Sequence, residues 1–283
     1  MEILFYDNLI KIKNLICFNL ALTLDCGQAF RWKRDESGCW SGVAFGKYIK
    51  IYQKDDEVCI LGATREDFQN VWFSYFDLER DYEKLCECFC EDESMKEAVA
   101  AYPGIRILRQ EPWEALCSFI ISQNNNIPRI KGIIERLCRG FGERLRCGEY
   151  AFPTAQRLSE LSVEELAPIR AGFRAKYILD AAKKVSCGEI RLDLLPSLPI
   201  EQARQELLRI KGVGAKVAEC TLLYGCGRTE AFPEDVWVKR VMAELYPQGL
   251  PACMIENQGI AQQYLFHWRR NRKSTKIFNI YII

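Results

Sequence analysis

What this chain of 283 residues lacks narrows its class first. No apolar run approaches the ~18 residues of a membrane-spanning helix, so a helical membrane protein is excluded. Charge of neither sign is in excess: 39 Lys and Arg stand against 38 Asp and Glu, a net charge of +1. That balance announces no polyanionic partner, although a local basic stripe would be enough for one. The opening MEILFYDNLIKIKN has no basic stretch followed by a long apolar core, so no secretory signal is predicted and a cytoplasmic location is. There is no internal repeat and no low-complexity tract. The glycine–lysine stretch near residue 212 lacks the GxxxxGK[ST] spacing of a nucleotide-binding loop. Cysteine is abundant, at 14 residues, but a cytosolic chain of this size is expected to keep free thiols. Cys86, Cys88 and Cys90 form C-x-C-x-C, which is not a zinc spacing, so no metal is predicted.

What is present describes a soluble globular protein: 49% of residues are hydrophobic and 27% charged. The length allows two or three domains with their own cores. Residues 14–61 read as strands: NLICFNLALTL, CWSGVAF, KYIKIYQ and EVCIL are short β-branched or aromatic runs between Gly38, Gly42, Gly46, Asp55 and Asp56. Residues 64–76 are predicted to be helical with Thr64 as N-cap, and 79–101 helical as well. From Pro103 onward no strand is convincing. Pro112, Pro128, Thr154, Ser162 with Glu165, and Pro199 mark helix starts, and Gly140, Gly188 and Gly225 mark ends. The expected fold class is therefore α+β. An N-terminal domain, residues 1–103, carries an antiparallel sheet with helices, and a mainly helical domain follows over 104–283. The tail WRRNRKSTKIFNIYII, 268–283, starts basic and ends apolar and supports no single reading.

The stretch around which the rest is organised is 204–220, RQELLRIKGVGAKVAEC. Leu207, Leu208 and Ile210 approach a helical period, Lys211-Gly212-Val213-Gly214 breaks it, and a second helix follows with Val217, Ala218, Thr221 and Leu222 on its apolar face. Glycine accepts positive φ and lets another backbone approach. The N–H groups of the second helix's first turn are unpaired and sit at the positive end of its dipole, so a phosphodiester could rest there. Lys216 and Cys220, four apart, share a face. Downstream, FPEDVW places Asp235 at a helix start, where an aspartate is ordinarily an N-cap.

This hairpin, lysine and aspartate resemble the helix-hairpin-helix DNA glycosylase superfamily, and most closely its 8-oxoguanine DNA glycosylase/AP lyases. The resemblance makes Lys216 the nucleophile and Asp235 the second catalytic group, with Lys211, Gly212, Val213 and Gly214 binding a phosphate. Further motifs carry it from about residue 14 to about 267, in the family's order. CGQAFRW, 26–32, matches an SGQxFRW-type signature and makes the Gly27 carbonyl the acceptor for the N7–H that 8-oxoguanine has and guanine lacks. SQNNNIPR, 122–129, makes Asn124 the filler of the gap left by the base, and Arg129 a reader of the orphaned cytosine. IRAGFRAK, 169–176, makes Phe173 a wedge and Arg174 a second cytosine reader. GIAQQYLF, 259–266, puts Gln262 on the base's Watson–Crick edge and Phe266 on one face, with Cys220 against the other. Taken residue by residue, plainer roles compete: Asn126 a helix cap, Phe173 a core residue, Arg174 a solvent residue, Gln262 an exposed helix residue. The four-cysteine loop of iron–sulfur members of the superfamily is missing, since the last cysteine is Cys253.

The resemblance implies a partner, duplex DNA containing 8-oxoguanine, no membrane, no required cofactor, and a monomer. It implies base flipping, attack of a neutral Lys216 on the sugar C1′, a Schiff base and β-elimination. Attack by the neutral amine requires its pKa to be lowered, by partial burial and by the nearby helix N-terminus. Two positions depart from the pattern: Trp237 stands where many relatives have a phosphate-touching histidine, and Phe173 where many have tyrosine. The competing expectations are a monofunctional alkyl-purine glycosylase of the same fold, which has no use for an amine at 216, and a non-catalytic DNA-binding hairpin, which leaves Asp235, Gln262 and CGQAFRW unexplained. The short chain without a targeting segment suits a prokaryotic, nucleoid-associated protein.

Overall fold

The computed structural model describes residues 1–271. Its sheet has six antiparallel strands: β1 Glu2–Tyr6, β2 Leu9–Lys13, β3 Lys33–Arg34, β4 Trp40–Ala44, β5 Lys47–Lys54 and β6 Glu57–Leu61, in the order β1-β2-β6-β5-β4-β3. Strands β4, β5 and β6 are the predicted runs. The strand expected over NLICFNLALTL is not there: Leu20–Asp25 is a helix, and the sheet instead gains an N-terminal hairpin, Glu2 opposite Lys13. The Asn19 side chain decides the helix by accepting from Leu22 N–H, and Leu20, Thr23 and Leu24 are its buried face.

Thr64 caps the following helix in a complete capping box with Asp67, and the helical run continues through a π turn to Tyr75. Its aromatic face closes the sheet: Trp72, Tyr75 and Phe76 crowd Trp32, whose Nε1–H donates to Tyr75 Oη at 2.8 Å. Helices Tyr82–Phe89 and Glu93–Ala101 belong elsewhere. Tyr82, Cys86, Phe89, Met95 and Ala98 share one apolar core with the C-terminal helices, separate from the core under the sheet.

Beyond Pro103 the described residues contain no strand, only one isolated bridge between Arg144 and Tyr150. Pro112 opens Pro112–Ser122, Asn126 caps Ile127–Phe141, Thr154 caps Ala155–Ser159 and Pro199 precedes Ile200–Leu208. Ser162 and Glu165 do exchange capping-box hydrogen bonds, but only turns and a short 3₁₀ segment follow, because Pro168 and the left-handed Arg170 stop propagation. Helix Gln258–Asn271 is buried nearly all round and runs through the middle of the larger core. Residues 268–271 finish that helix; the rest of the predicted tail lies outside the described residues. All fourteen cysteines are free thiols, and among the described residues no helix is long and apolar enough to cross a membrane.

Candidate active site

The hairpin is built as its glycines require. Helix Ile200–Leu208 ends, the chain turns, and helix Ala215–Cys220 continues as a π turn over Thr221–Gly225. Gly212 sits at φ +80°, and a Cβ on it would stand 2.4 Å from the Tyr177 ring. One turn along helix Ala175–Ser186 from Tyr177, Asp180 accepts the Lys211 N–H at 2.7 Å. Among the described residues no side chain caps the second helix at Gly214, and none lies within 4 Å of where a Gly214 Cβ would be. Free N–H groups at the positive end of a helix therefore face open space, as a phosphate site demands. Gly212→Ala is expected to destabilise the protein by about 2–4 kcal/mol, from strained backbone and a displaced ring together. Duplex affinity should fall at least about tenfold with it. Thermal melting and anisotropy titration check both, and a native-like variant would show that Tyr177 yields easily.

Lys216 lies half-buried in the first turn of that second helix. Its ammonium donates to Ser122 Oγ at 3.4 Å and stands 5.8 Å from the centre of the Phe119 ring. Among the described residues no carboxylate pairs with it. Asp235 is the N-cap of Val236–Leu245, and its Oδ1 accepts from the N–H groups of Trp237 and Val238, both at 2.9 Å. The cap reading of Asp235 is thus correct, and it leaves Oδ2 free. Cys220 reports where the two groups are. Burial pushes its thiol up to about 12; Lys216 pulls it down and Asp235 pushes it further up. Amine and carboxylate are therefore both within electrostatic reach of one buried sulfur. That sulfur stays a neutral thiol, suited to a wall and not to nucleophilic attack.

Gln262 is buried, 4% exposed, and among the described residues its Oε1 has no hydrogen-bond partner. An exposed helix residue it is not. A buried orphan acceptor costs about 1–3 kcal/mol unless a ligand answers it. Phe266 is four residues on, on the same face of the helix. Its ring meets Gly27, where φ is +92° and a Cβ would lie 3.7 Å from the ring and 3.4 Å from Ile127. The carbonyls on either side of Gly27 are already used: Cys26 O accepts from Gln263 Nε2 at 3.3 Å and Gln28 O from Gln110 Nε2 at 2.7 Å. Among the described residues no donor reaches the Gly27 carbonyl. Gln263 was not foreseen. Adjacent to Gln262 on a helix, it points to a different face, and only the fold shows that it anchors Cys26 while accepting from the Tyr224 hydroxyl.

The asparagine joint has Asn124 exposed and left-handed at φ +46°, a conformation asparagine tolerates. Asn126 caps the next helix through Arg129 N–H, so its plainer role holds, and the Arg129 side chain is exposed. At 173–174 both plainer roles are reversed. Phe173 is 48% exposed, while Arg174 is 2% exposed. Arg174 donates to the carbonyls of Gln123, Asn124 and Ala171, and thereby holds the joint in place. Burial first, and Arg129's charge second, hold this guanidinium below its usual value. The Trp237 ring lies under Arg240, 5.1 Å from the guanidinium carbon. A cleft lined by Phe30, Arg31, Tyr48, Ile134 and Tyr150 contains none of the predicted site residues. At Gly27 the space is bounded by the Phe266 ring, the Arg270 guanidinium and Ile127, each within 4 Å of where a Cβ would stand.

Residues 10–116 match the family model described as 8-oxoguanine DNA glycosylase, N-terminal domain, and residues 117–249 match HhH-GPD superfamily base excision DNA repair protein. The Saccharomyces cerevisiae N-glycosylase/DNA lyase is 32% identical over 83% of this chain and 69% of its own length. The chain belongs to the 8-oxoguanine DNA glycosylase/lyase family. Another relative, the Arabidopsis thaliana N-glycosylase/DNA lyase OGG1, is 31% identical over 78% of this chain, which spans 64% of that relative. Among solved structures, MBOgg1 in complex with a low-affinity DNA ligand superposes with a TM-score of 0.90 at 41% identity, covering 95% of this chain and 98% of that one. The Clostridium acetobutylicum 8-oxoguanine glycosylase/lyase, in complex with duplex DNA containing cytosine opposite 8-oxoG, superposes at 0.88 with 37% identity, covering 95% and 98%. The resemblance named from motifs alone is therefore correct, as is the α+β fold class with a helix-hairpin-helix domain.

Proposed function

We propose that this protein removes 8-oxoguanine from duplex DNA and then cuts the strand at the abasic site, through a Schiff base on Lys216. The observation that carries the reading is the half-buried Lys216, without a carboxylate partner among the described residues, on the helix that also carries Cys220, with the helix-capping Asp235 within electrostatic reach of the same sulfur. The relatives to which it is similar are N-glycosylase/DNA lyases, which fits both halves of the reaction. The base must leave the stack first, at a cost of a few kcal/mol. Phe173, exposed beside the joint, wedges the helix, and Asn124 fills the gap. Arg129 reads the orphaned cytosine, with Arg174 fixing the joint from behind and offering a remaining N–H to the same base. The hairpin from Lys211 to Gly214 holds a backbone phosphate. Trp237 brings no charge to the next phosphate, and Arg240, packed on its ring, supplies it.

The flipped base slides between Phe266 and Cys220. Gln262 Oε1 accepts from its Watson–Crick edge, and the Gly27 carbonyl accepts the N7–H. One bond made or refused at a buried acceptor separates lesion from guanine by about 1–3 kcal/mol. Lys216, its proton given up to solvent, attacks C1′ as the C1′–N9 bond breaks; the base leaves with the bonding pair and takes up the proton that the new C1′–N bond sheds. Asp235 stabilises the positive charge developing on the sugar. Opening of the sugar gives the Lys216 iminium, which acidifies the 2′ proton; its removal expels the 3′ phosphate by β-elimination. Only amine and carboxylate chemistry is used, so no cofactor is needed. We place the protein in a prokaryotic cytoplasm, acting as a monomer on the nucleoid.

The test is one panel of duplexes: 8-oxoguanine opposite cytosine, 8-oxoguanine opposite adenine, an alkylated purine, and undamaged DNA. Excision is expected from the first, at least about tenfold slower excision from the second for one lost base contact, and none from the others. Borohydride should trap a covalent protein–DNA adduct with the first. Equal excision opposite adenine would remove the cytosine preference, and alkyl-purine release without trapping would make the protein a monofunctional glycosylase.

A further inference from the structure

The site needs Asp235 and Lys216 at a fixed separation, yet they sit on different elements joined by a long connection. Something must set that distance, and the residue that does so lies on the lysine's own helix. Glu219 is three residues after Lys216, buried at 9% exposure. Its Oε2 accepts the backbone N–H of Phe232 at 2.7 Å. From the other side Arg204 grips the same carboxylate, with Nη2 donating to Oε2 at 3.2 Å and Nε donating to Oε1. Arg204 belongs to Ile200–Leu208, the first helix of the hairpin. One carboxylate thus ties together both hairpin helices and the segment that leads into Asp235.

The geometry points to Glu219 as the positioning residue of the site, acting on Asp235 through the backbone of Phe232. This rests on the roles given to Lys216 and Asp235 above. Phe232 precedes Pro233, which restricts it to extended backbone, and Pro233 itself has a fixed φ and is buried. Pinning the Phe232 N–H therefore fixes the direction in which the chain approaches Asp235. The far end is pinned as well, since Asp235 Oδ1 accepts from Trp237 and Val238 N–H. The short run from 232 to 235 is clamped at both ends with little freedom between. Arg204 pairs with both Glu219 and the exposed Glu201, and the Glu219 carboxylate is committed to Arg204 and the Phe232 N–H. No other acceptor among the described residues reaches the Phe232 N–H, so its loss is not made good by a neighbour.

A misplacement of about 1 Å between reacting groups can cost about a hundredfold in rate. Single-turnover release of 8-oxoguanine by Glu219→Ala is therefore expected to fall about a hundredfold. Affinity for the same duplex should stay within about threefold, because the hairpin turn is held independently of Glu219, by Asp180 accepting the Lys211 N–H and by Tyr177 packed on Gly212. Glu219→Gln loses the ion pair but keeps an oxygen for Phe232 N–H, and should recover at least about tenfold of that loss. A merely structural role would have both variants fail in step with their melting temperatures. In an Asp235→Asn background Glu219→Ala should slow release by less than about threefold, since a displaced group that is already inactive loses nothing more. Where Glu219→Ala does not fold, the charge-neutral pair Arg204→Met with Glu219→Met carries the same expectation. Native release by Glu219→Ala or by that pair, with Asp235→Asn slow, overturns the positioning role and leaves the catalytic reading intact. Native release by Asp235→Asn itself removes the catalytic reading.

Discussion

Lys216→Gln is expected to bind an 8-oxoguanine duplex about as tightly as the native protein and to leave it uncut. Glutamine keeps a polar tip that can still reach Ser122 Oγ, where the lysine now donates at 3.4 Å. The elements proposed to grip DNA are elsewhere: the Gly214 helix end, the exposed Arg129 and the exposed Phe173. What is lost is an amine lone pair, and an amide offers none. No neighbour replaces it. The Ser122 hydroxyl beside Lys216 donates to the Phe119 carbonyl and has no general base bonded to it among the described residues, and the Cys220 thiol is pushed up to about 12 by burial, so neither offers a useful nucleophile at neutral pH. Removing the group that bonds to C1′ should slow base release by about a thousandfold or more. At 1.36 kcal/mol per decade that is about 4 kcal/mol of barrier. Borohydride trapping should vanish with it, and so should strand cleavage of a preformed abasic duplex. Single-turnover release, trapping and an affinity titration on the same preparation check all three. Release at the native rate would take Lys216 out of the reaction, whatever the fold.

How much of this could be read without coordinates depends on what each residue must satisfy locally. The hairpin was legible because Gly212 and Gly214 interrupt a helical period, and no other residue fills the space against Tyr177 at φ +80°. Asp235, Asn126 and Thr64 were legible because a cap is a contact within three residues of itself. The helix at Leu20–Asp25 was not, although Asn19 caps it, because six residues are too few for a helical period to stand out and the apolar run reads equally as a strand. Polarity misled at Phe173 and Arg174. The arginine is buried because the carbonyls of Gln123 and Asn124, some fifty residues away in sequence, lack other donors, and those partners are visible only when folded. Glu219 and Gln263 were missed for the same reason: each bonds a backbone group supplied by a distant segment. The π turn at Thr221–Gly225 left no trace in the hydrophobic pattern, since it only lengthens a helix already predicted.

Asp235→Asn should separate the two roles that Asp235 holds at once. As a cap, Asp235 satisfies the N–H groups of Trp237 and Val238 through Oδ1 alone. Asparagine caps about as well, so only the attraction of a charge to the helix end is lost, about 0.3–1 kcal/mol. The melting temperature should therefore fall by only a few degrees. In the proposed reaction, however, its charge stabilises the positive charge developing on the sugar, and an amide dipole is a poor substitute for a full negative charge. Loss of one well-placed electrostatic stabiliser costs about a hundredfold to a thousandfold, and base release should slow by that much. Asp235→Ala adds the loss of the cap, about 0.5–2 kcal/mol, and should melt earlier than Asp235→Asn without being much slower. The lyase step gives the contrast. On a preformed abasic duplex the sugar already carries an aldehyde, no glycosidic cation has to form, and Lys216 is still in place. Asp235→Asn should therefore retain trapping and cleavage there far better than it retains base release. Equal losses in both steps would mean that the asparagine has moved Lys216, and the carboxylate's electrostatic role would have to be withdrawn.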